Sequence, residues 1–222
     1  MIRKKIEKYT ECKTLPNVIE CGGITYDPLV LEASWNDIPF HRDLPLVLEL
    51  GCGRGEYTVN MAARHVDKNF IGIDIKGVRL WFGAKLALEQ NISNILFIRM
   101  QIDHIASFFP PKSIDEIWIP FPDPYTRHQS RTAKKRLTSA VFLDRYRSIM
   151  KDNGILHLKT DNSILYDYTL KTVAREGGNV LFCSDNLYEA GIDGDVTDIQ
   201  TTYEKRYLSQ NIPIKYVKFM LT

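Results

Sequence analysis

One stretch of the sequence, residues 46–55, constrains the fold more than any other. It reads Leu-Val-Leu-Glu-Leu-Gly-Cys-Gly-Arg-Gly and is followed by a run with helical character at residues 56–63. Such an apolar run predicts a strand that is buried on both faces, and the glycines let the backbone turn sharply and approach a ligand without a Cβ in the way. The stretch therefore predicts the first unit of a nucleotide-binding α/β domain.

The spacing inside this turn indicates which ligand it holds. The glycines are Gly51, Gly53 and Gly55, whereas the dinucleotide fingerprint places its third glycine one position later, where Glu56 stands. Glu49, two residues before the first glycine, would repel a pyrophosphate at the helix N-terminus. A carboxylate at this position suits the ammonium group of S-adenosylmethionine, and the acidic-x-G-x-G-x-G pattern resembles that of class I methyltransferases.

The rest of the chain alternates strands and helices, as a doubly wound α/β fold requires. After the glycine turn, strands are predicted at residues 70–75, 95–100, 114–119, 155–158, 180–183 and 214–221. We expect a Rossmann-like class I methyltransferase fold with three α/β/α layers. Its mostly parallel, seven-stranded sheet would end in an antiparallel hairpin formed by the last two strands.

The N-terminal end is basic and differs in character from the rest. Residues 1–14 carry five cations, Arg3, Lys4, Lys5, Lys8 and Lys13. We expect this end to lack fixed structure until an anionic partner orders it, and a solvated tail and an RNA-contacting arm both remain open. A short helix is predicted at residues 29–34. Residues 1–40 thus form a basic arm and lead-in segment, and residues 41–222 form one methyltransferase domain.

The composition limits which kinds of partner the chain is expected to bind. The net charge is only +2, so affinity for a polyanion must come from local clusters of basic residues. The four cysteines and five histidines show no ligand spacing, so no metal site is predicted. No stretch has the length and apolarity of a signal peptide or a membrane span, so we expect a cytoplasmic protein that does not bind membranes. The sequence leaves open whether it is a monomer or a homodimer.

Polar residues follow the second and third predicted strands. Asp74 can accept hydrogen bonds from the ribose hydroxyls of an adenosine, which NAD and S-adenosylmethionine share. The amide of Gln101 can accept from an adenine amino group and donate to a ring nitrogen. An isolated residue of either type is more often an ordinary surface residue. The prediction that both bind the cofactor therefore depends on the neighbouring glycine turn.

The second informative stretch begins at residues 120–125, Pro-Phe-Pro-Asp-Pro-Tyr. Alternate prolines impose an extended path and present Asp123 rigidly just past the fourth strand. The following ten residues contain no carboxylate and five cations, Arg127, Arg131, Lys134, Lys135 and Arg136. Like-charged runs are usually only solvated, but the position of this run beside the expected crevice predicts a loop that binds RNA phosphates.

Taken together, the motifs resemble those of the bacterial tRNA (guanine-N7)-methyltransferase family. The resemblance runs from residue 46 to the C-terminus in the order of the family. It rests on E-x-G-x-G-x-G, Gly72-Ile73-Asp74, Phe121-Pro122-Asp123-Pro124, the basic run ending Lys135-Arg136-Leu137, Lys159-Thr160-Asp161 and Thr201-x-Tyr203-Glu204. It implies methyl transfer from S-adenosylmethionine to N7 of the guanine at position 46 in the variable loop of tRNA.

The resemblance also implies roles for individual residues. Asp123 would lie between cofactor and target base as the catalytic residue. The cofactor would be lined by Glu49, the three glycines of the turn, Asp74, Gln101 and Asp123. The substrate would be held by the basic run and by Asp161, Thr201, Tyr203 and Glu204. The chain departs from the family pattern at Gln101, where aspartate is more usual, at Tyr125, where tryptophan is common, and in a basic segment two residues longer.

The implied chemistry makes modest demands on the protein. Guanine N7 already carries an in-plane lone pair, so no general base is needed and the main task is alignment of N7, methyl and sulfur. Carboxylates near the base would favour the positive charge that the guanine acquires. Asp123, Asp161 or Glu204 could also accept hydrogen bonds from guanine N1–H and N2–H.

Two alternatives remain open at this point. Pro-Asp-Pro-Tyr loosely resembles the D-P-P-Y motif of methyltransferases that act on an exocyclic amine, although here Pro124 is followed directly by Tyr125. The other alternative is an NAD-dependent oxidoreductase or a non-catalytic nucleotide-binding module. The glycine spacing, Glu49 and the lack of a separate substrate domain count against it.

Overall fold

The computed structural model describes residues 2–21, 43–127 and 129–222. The short helix predicted at residues 29–34 lies outside these residues. The chain divides into two compact units, Met1–Pro110 and Pro111–Thr222. All seven predicted strands are present within the described residues, and one further short strand precedes them.

The first unit is built on parallel strands. Its strands are β1 (Val18–Glu20), β2 (Leu46–Leu50), β3 (Asn69–Asp74) and β4 (Ile95–Arg99), and its helices are α1 (Ile2–Cys12), α2 (Glu56–Arg64), α3 (Gly77–Glu89) and α4 (Ile105–Phe108). The strands lie in the order β1-β4-β3-β2, and each neighbouring pair is parallel. Strand β1 is the addition to the prediction, since three residues are too few to give a periodic signal.

Strand β2 lies in the core of the first unit, as its apolar sequence predicts. All five of its residues are buried, as are all six of β3. The N–H groups of Gly51 and Cys52 both donate to the carbonyl of Ile73, at 2.8 and 3.0 Å. The glycine turn is therefore tied to the carboxyl end of β3 by backbone hydrogen bonds.

The basic N-terminal segment differs from the expectation of an arm without fixed structure. It forms helix α1, which packs against α3. Glu11 accepts a hydrogen bond from the indole N–H of Trp81 at 2.8 Å and pairs with Lys85 at 3.2 Å. Cys12 is fully buried, and the Lys8 ammonium lies over the Trp81 ring. A buried cysteine, an ion pair and a cation–π contact with α3 therefore hold this segment.

The second unit combines parallel and antiparallel strands. Its strands are β5 (Ile114–Pro120), β6 (Met150–Thr160), β7 (Asn179–Ser184) and β8 (Lys215–Met220), and its helices are α5 (Gln129–Thr132), α6 (Ala140–Ile149), α7 (Ser163–Arg175), α8 (Asp195–Asp198) and α9 (Thr202–Ser209). The order is β5-β6-β8-β7, with β5 parallel to β6 and with β8 antiparallel to both neighbours. The antiparallel ending is confirmed, and with it the mostly parallel α/β fold class.

Buried aromatic rings cross the strands of the second unit. Trp118 of β5 stacks on His157 of β6 with ring centroids 3.9 Å apart, and His157 Nδ1 lies 2.6 Å from the Tyr216 hydroxyl on β8. The Trp118 N–H donates to Glu116 at 2.7 Å. This packing accounts for one of the histidines as a structural residue. No helix in the part of the chain that the structure describes is long and apolar enough to cross a membrane.

Candidate functional site

The glycine turn after β2 presents open backbone at two of its three glycines. Gly51 and Gly53 have φ of +72° and +58°, in the left-handed region that favours glycine. A Cβ on Gly51 would meet no atom within 4 Å, and on Gly53 it would meet only the Gly51 carbonyl at 4.0 Å. These two positions leave room for a ligand to reach the backbone.

The third glycine of the turn has a packing role. A Cβ on Gly55 would lie 2.5 Å from the Phe97 ring, and one on Gly72 or Gly83 would also come within 3 Å of the same ring. Gly55, Gly72 and Gly83 therefore make room for Phe97, whose side chain is fully buried. Gly55 supports the cofactor turn predicted from the sequence through this close packing.

Asp74 stabilises the turn from the end of β3. Its Oδ2 accepts a hydrogen bond from the Gly53 N–H at 3.0 Å, and its Oδ1 accepts one from the Lys76 N–H at 2.8 Å. A carboxylate offers about four acceptor positions, so capacity for ribose hydroxyls remains. The predicted ligand residue thus also shapes the turn beside which it lies.

Glu49 is buried below the turn. Its Oε2 accepts hydrogen bonds from the backbone N–H of Thr58, at 2.7 Å, and from the Thr58 hydroxyl. No donor to Oε1 is present among residues 2–21, 43–127 and 129–222. Burial raises the pKa of Glu49 to about 8, the Thr58 hydrogen bonds oppose this shift, and the negative charge of Asp74 adds to it.

Gln101 completes the polar residues of the first unit. It is half-buried and follows β4, and its backbone carbonyl accepts a hydrogen bond from the His104 backbone N–H at 3.0 Å. Strands β2, β3 and β4 are neighbours and parallel, so residues that follow them lie along one edge. Glu49, the open glycines, Asp74 and Gln101 therefore form one group at the carboxyl edge of this unit, where ligands of open α/β sheets bind.

In the second unit, the Phe-Pro-Asp-Pro-Tyr segment follows β5 with unusual backbone conformations. Phe121 and Tyr125 have φ of +52° and +44°, which bulky residues rarely adopt and which cost about 1–3 kcal/mol each. The Phe121 N–H donates to the Lys159 carbonyl at 2.8 Å, and its ring lies 5.9 Å from that of Tyr207. Strained residues held on both sides of Asp123 indicate a segment with a fixed shape.

Arg136 stabilises the Phe-Pro-Asp-Pro-Tyr segment, whereas the sequence predicts that it binds phosphate. Its side chain is buried, donates to the Pro124 and Tyr125 carbonyls at 2.9 and 3.3 Å, and lies over the Tyr168 ring. A buried guanidinium that is engaged with backbone carbonyls is not exposed to RNA. Sequence alone does not separate this cation from its four neighbours in the run.

The other four cations of the run are exposed. Thr132 holds the run close to the strained segment, since its hydroxyl donates to the Tyr125 and Arg127 carbonyls at 3.1 and 2.8 Å. The exposed cations, which form no ion pair within the described residues, are Arg127, Arg131, Lys134 and Lys135. We call these four residues the basic loop.

Asp123 and Asp161 lie at the same edge of the second unit. Asp123 is exposed three residues beyond Pro120, and Asp161 is half-buried two residues beyond Lys159. Pro120 and Lys159 are partners in the parallel pairing of β5 with β6, so both carboxylates follow neighbouring strand ends. The prediction that both lie at a carboxyl edge agrees with this register.

The Thr-x-Tyr-Glu motif forms the start of helix α9. Thr201 is its N-cap, and the Thr201 hydroxyl accepts a hydrogen bond from the Glu204 N–H at 3.2 Å. Tyr203 is 52% exposed, whereas Glu204 is completely buried. Of the three residues of this motif that are predicted to hold guanine, only Tyr203 therefore presents its side chain to solvent.

The Glu204 carboxylate is paired inside the protein. Lys159 Nζ lies 2.6 Å from Oε1 and 2.9 Å from Oε2, and the Tyr188 hydroxyl donates to Oε1 at 2.9 Å. Burial raises the pKa of Glu204 and lowers that of Lys159, while their mutual attraction opposes both shifts.

Comparisons with known proteins decide the family. Residues 43–217 match the family described as "Putative methyltransferase". The chain is 43% identical to the tRNA (guanine-N(7)-)-methyltransferase of Christiangramia forsetii over 99% of its length and 98% of the relative. It is 41% identical to the enzyme of the same name from Bacteroides fragilis, over 100% of this chain and 87% of the relative. The chain belongs to the tRNA (guanine-N(7)-)-methyltransferase family.

A solved structure supports the fold of this family member. The 30S ribosomal A1408 methyltransferase from an uncultured bacterium aligns with a TM-score of 0.60 at 19% identity, over 92% of this chain and 98% of that one. At this identity the likeness concerns the fold alone. It confirms the predicted methyltransferase architecture.

One residue of this methyltransferase was missed by sequence reasoning. Lys159 is fully buried, and it joins β6 to both α8 and α9 through its contacts with Val196 and Glu204. The available signal was a lysine at the end of an otherwise apolar strand, inside the Lys-Thr-Asp motif. The described residues contain no group of three or more His, Cys, Asp or Glu side chains that could hold a metal ion.

Proposed function

We propose that this protein transfers a methyl group from S-adenosylmethionine to N7 of a guanine in tRNA, at position 46 of the variable loop. The observation that carries the proposal is the 43% identity to a tRNA (guanine-N(7)-)-methyltransferase along 99% of the chain. The protein acts in the cytoplasm, as a monomer or a homodimer and without a metal ion.

The carboxyl edge of the first unit fits the cofactor. The open backbone at Gly51 and Gly53 admits a ligand, and the free acceptor positions on Glu49 and Asp74 suit an ammonium group and ribose hydroxyls. Gln101 would contact the adenine. When bound, S-adenosylmethionine supplies a methyl group on a positively charged sulfur. Because Oε1 of Glu49 has no donor within the described residues, a ligand ammonium can pair with it without displacing Thr58.

The second unit supplies the groups that suit guanine. Asp123 and Asp161 are acceptors at neighbouring strand ends, which suits the N1–H and N2–H groups of the base. Since N7 carries no proton, their task is to orient the base and to favour its growing positive charge, and neither has to remove a proton. Asp123 is the catalytic residue in this proposal.

Exposed residues of the second unit suit the rest of the RNA. The basic loop offers four cations for phosphates, with no internal carboxylate partner within the described residues to compete. Tyr203 offers an aromatic ring that is half exposed, and unpaired bases commonly stack on such rings. The proposed substrate contacts thus combine electrostatic attraction with recognition of one base.

The proposal is tested by methyl transfer from labelled S-adenosylmethionine to unmodified tRNA. Cleavage chemistry specific for N7-methylguanine then locates the product at single-nucleotide resolution. We expect one modified position, in the variable loop. Binding of S-adenosylhomocysteine without an N7 product would contradict the proposal, and binding of NADH in its place would indicate an oxidoreductase.

A further inference from the structure

The ion pair between Lys159 and Glu204 is the most deeply buried charged contact in the second unit. Both side chains are 0% exposed, and their shortest N–O distance is 2.6 Å. Taking two charges out of water costs free energy that pairing only partly returns, so a buried pair is weak evidence for stability. The role of this pair must therefore be sought in the segments of the chain that it holds together.

The pair leaves Glu204 little capacity for another ligand. Oε1 accepts from Lys159 and from the Tyr188 hydroxyl, Oε2 accepts from Lys159, and the Glu204 backbone N–H is capped by Thr201. The carboxylate has no exposed surface. A guanine N–H could reach it only if the first turn of α9 left its position.

The same pair joins the segments that carry the proposed guanine contacts. Lys159 lies two residues before Asp161, and its carbonyl accepts the hydrogen bond from Phe121, two residues before Asp123. Its ammonium also donates to the Val196 carbonyl of α8 at 2.6 Å. Glu204 directly follows Tyr203, the exposed aromatic residue of α9.

We propose that Lys159 and Glu204 are positioning residues that fix α9, with Tyr203, against the strand ends that carry Asp161 and Asp123, and that Glu204 does not bind guanine itself. This inference rests on the proposed function. If the wild-type protein forms no N7-methylguanine in tRNA, the proposed function fails before any variant is compared.

The first test uses the conservative variant Glu204→Gln and a tRNA with inosine in place of the target guanine. Inosine lacks the N2 amino group but keeps N7. A positioning residue should lower kcat/KM by roughly 10- to 100-fold on both substrates and leave their ratio unchanged. The Kd for S-adenosylhomocysteine should also stay at the wild-type value. The matched control is Asp161→Asn, which should reduce the discrimination between guanine and inosine.

The second test replaces the pair by apolar side chains of similar size. We expect Lys159→Met and Glu204→Leu to be impaired singly, and the triple variant with Tyr188→Phe to recover activity, because buried ion pairs can be replaced by apolar packing. An inactive triple variant that binds S-adenosylhomocysteine normally would overturn the inference. If the triple variant does not bind it, the inosine comparison decides: an unchanged ratio shows that Glu204 does not contact the N2 amino group and supports positioning, and a reduced ratio shows direct contact with that group.

Discussion

The carboxylate of Glu49 accepts two hydrogen bonds from Thr58, one from its backbone N–H at 2.7 Å and one from its hydroxyl. Thr58 lies in the first turn of α2, so the contact links the end of β2 to the start of the helix that follows the glycine turn. The residue that the sequence assigns to the cofactor therefore also satisfies an N–H group of the helix N-terminus.

Glu49 should make the ligand-free protein less stable as the pH rises. Its pKa is about 8 in the folded protein against 4.5 for an ordinary glutamate, so between these values the folded state holds a proton that the unfolded state has released. The free energy of unfolding should fall across this window, by up to about 4 kcal/mol. Urea unfolding at pH 5, 6.5 and 8 measures the slope.

The matched variant for this pH dependence is Glu49→Gln, which cannot titrate. Its stability should change less between pH 5 and 8 than that of the wild-type protein. Equal slopes for the two proteins would show that other groups cause the dependence.

Binding of the cofactor product should release a proton from Glu49. A ligand ammonium favours the ionised carboxylate and lowers its pKa, so at pH 7 the bound state holds fewer protons than the free state. Calorimetry of S-adenosylhomocysteine binding in two buffers with different ionisation enthalpies counts the protons released. We expect close to one proton for the wild-type protein and almost none for Glu49→Gln, and a count that does not differ would contradict the pairing.

The basic loop should make tRNA affinity strongly dependent on salt. Each cation that meets a phosphate contributes roughly 0.7–0.9 to the slope of log affinity against log salt. Lys134→Ala and Lys135→Ala should each reduce the slope by about that amount, as measured by fluorescence anisotropy with labelled tRNA. The control is Lys112→Ala, since Lys112 pairs with Asp152 at 2.8 Å, and its slope should match the wild type.

Arg136 should behave differently from the basic loop although it belongs to the same run of sequence. Arg136→Gln removes donors to the Pro124 and Tyr125 carbonyls, and this should destabilise the protein by about 1–3 kcal/mol. Thermal unfolding measures the loss. The slope of log tRNA affinity against log salt should stay at the wild-type value. A slope reduced as in Lys135→Ala would show that Arg136 contacts a phosphate.

The contrast between Arg136 and the basic loop shows what the sequence can and cannot predict. Apolar periodicity located β2 through β8 because burial follows directly from side-chain chemistry. The motifs located Asp74 and Asp123 at strand ends because both residues stand where a predicted apolar strand ends. Whether a cation such as Arg136 or Lys159 is exposed or buried depends on contacts between distant segments, which no local pattern contains.

The Thr-x-Tyr-Glu motif illustrates the same limit. Thr201 and Glu204 have the spacing of a capping box, but only the threonine caps the helix, since the glutamate side chain turns to Lys159. Helix α1 is a second case, because the burial of Cys12 and the contact between Glu11 and Trp81 depend on α3, more than sixty residues away. Both features follow from tertiary packing.

Asp123 should matter for the rate of methyl transfer more than for binding. Its segment is fixed by Phe121 and Arg136, so Asp123→Asn changes the charge at one exposed position and leaves the supporting contacts in place. We expect kcat to fall by roughly 100-fold, because a carboxylate favours the positive charge that guanine acquires. The Kd for S-adenosylhomocysteine should change little, and Asp193→Asn, at another exposed aspartate, should have wild-type kcat. A near-normal rate for Asp123→Asn would remove this residue from the catalytic role.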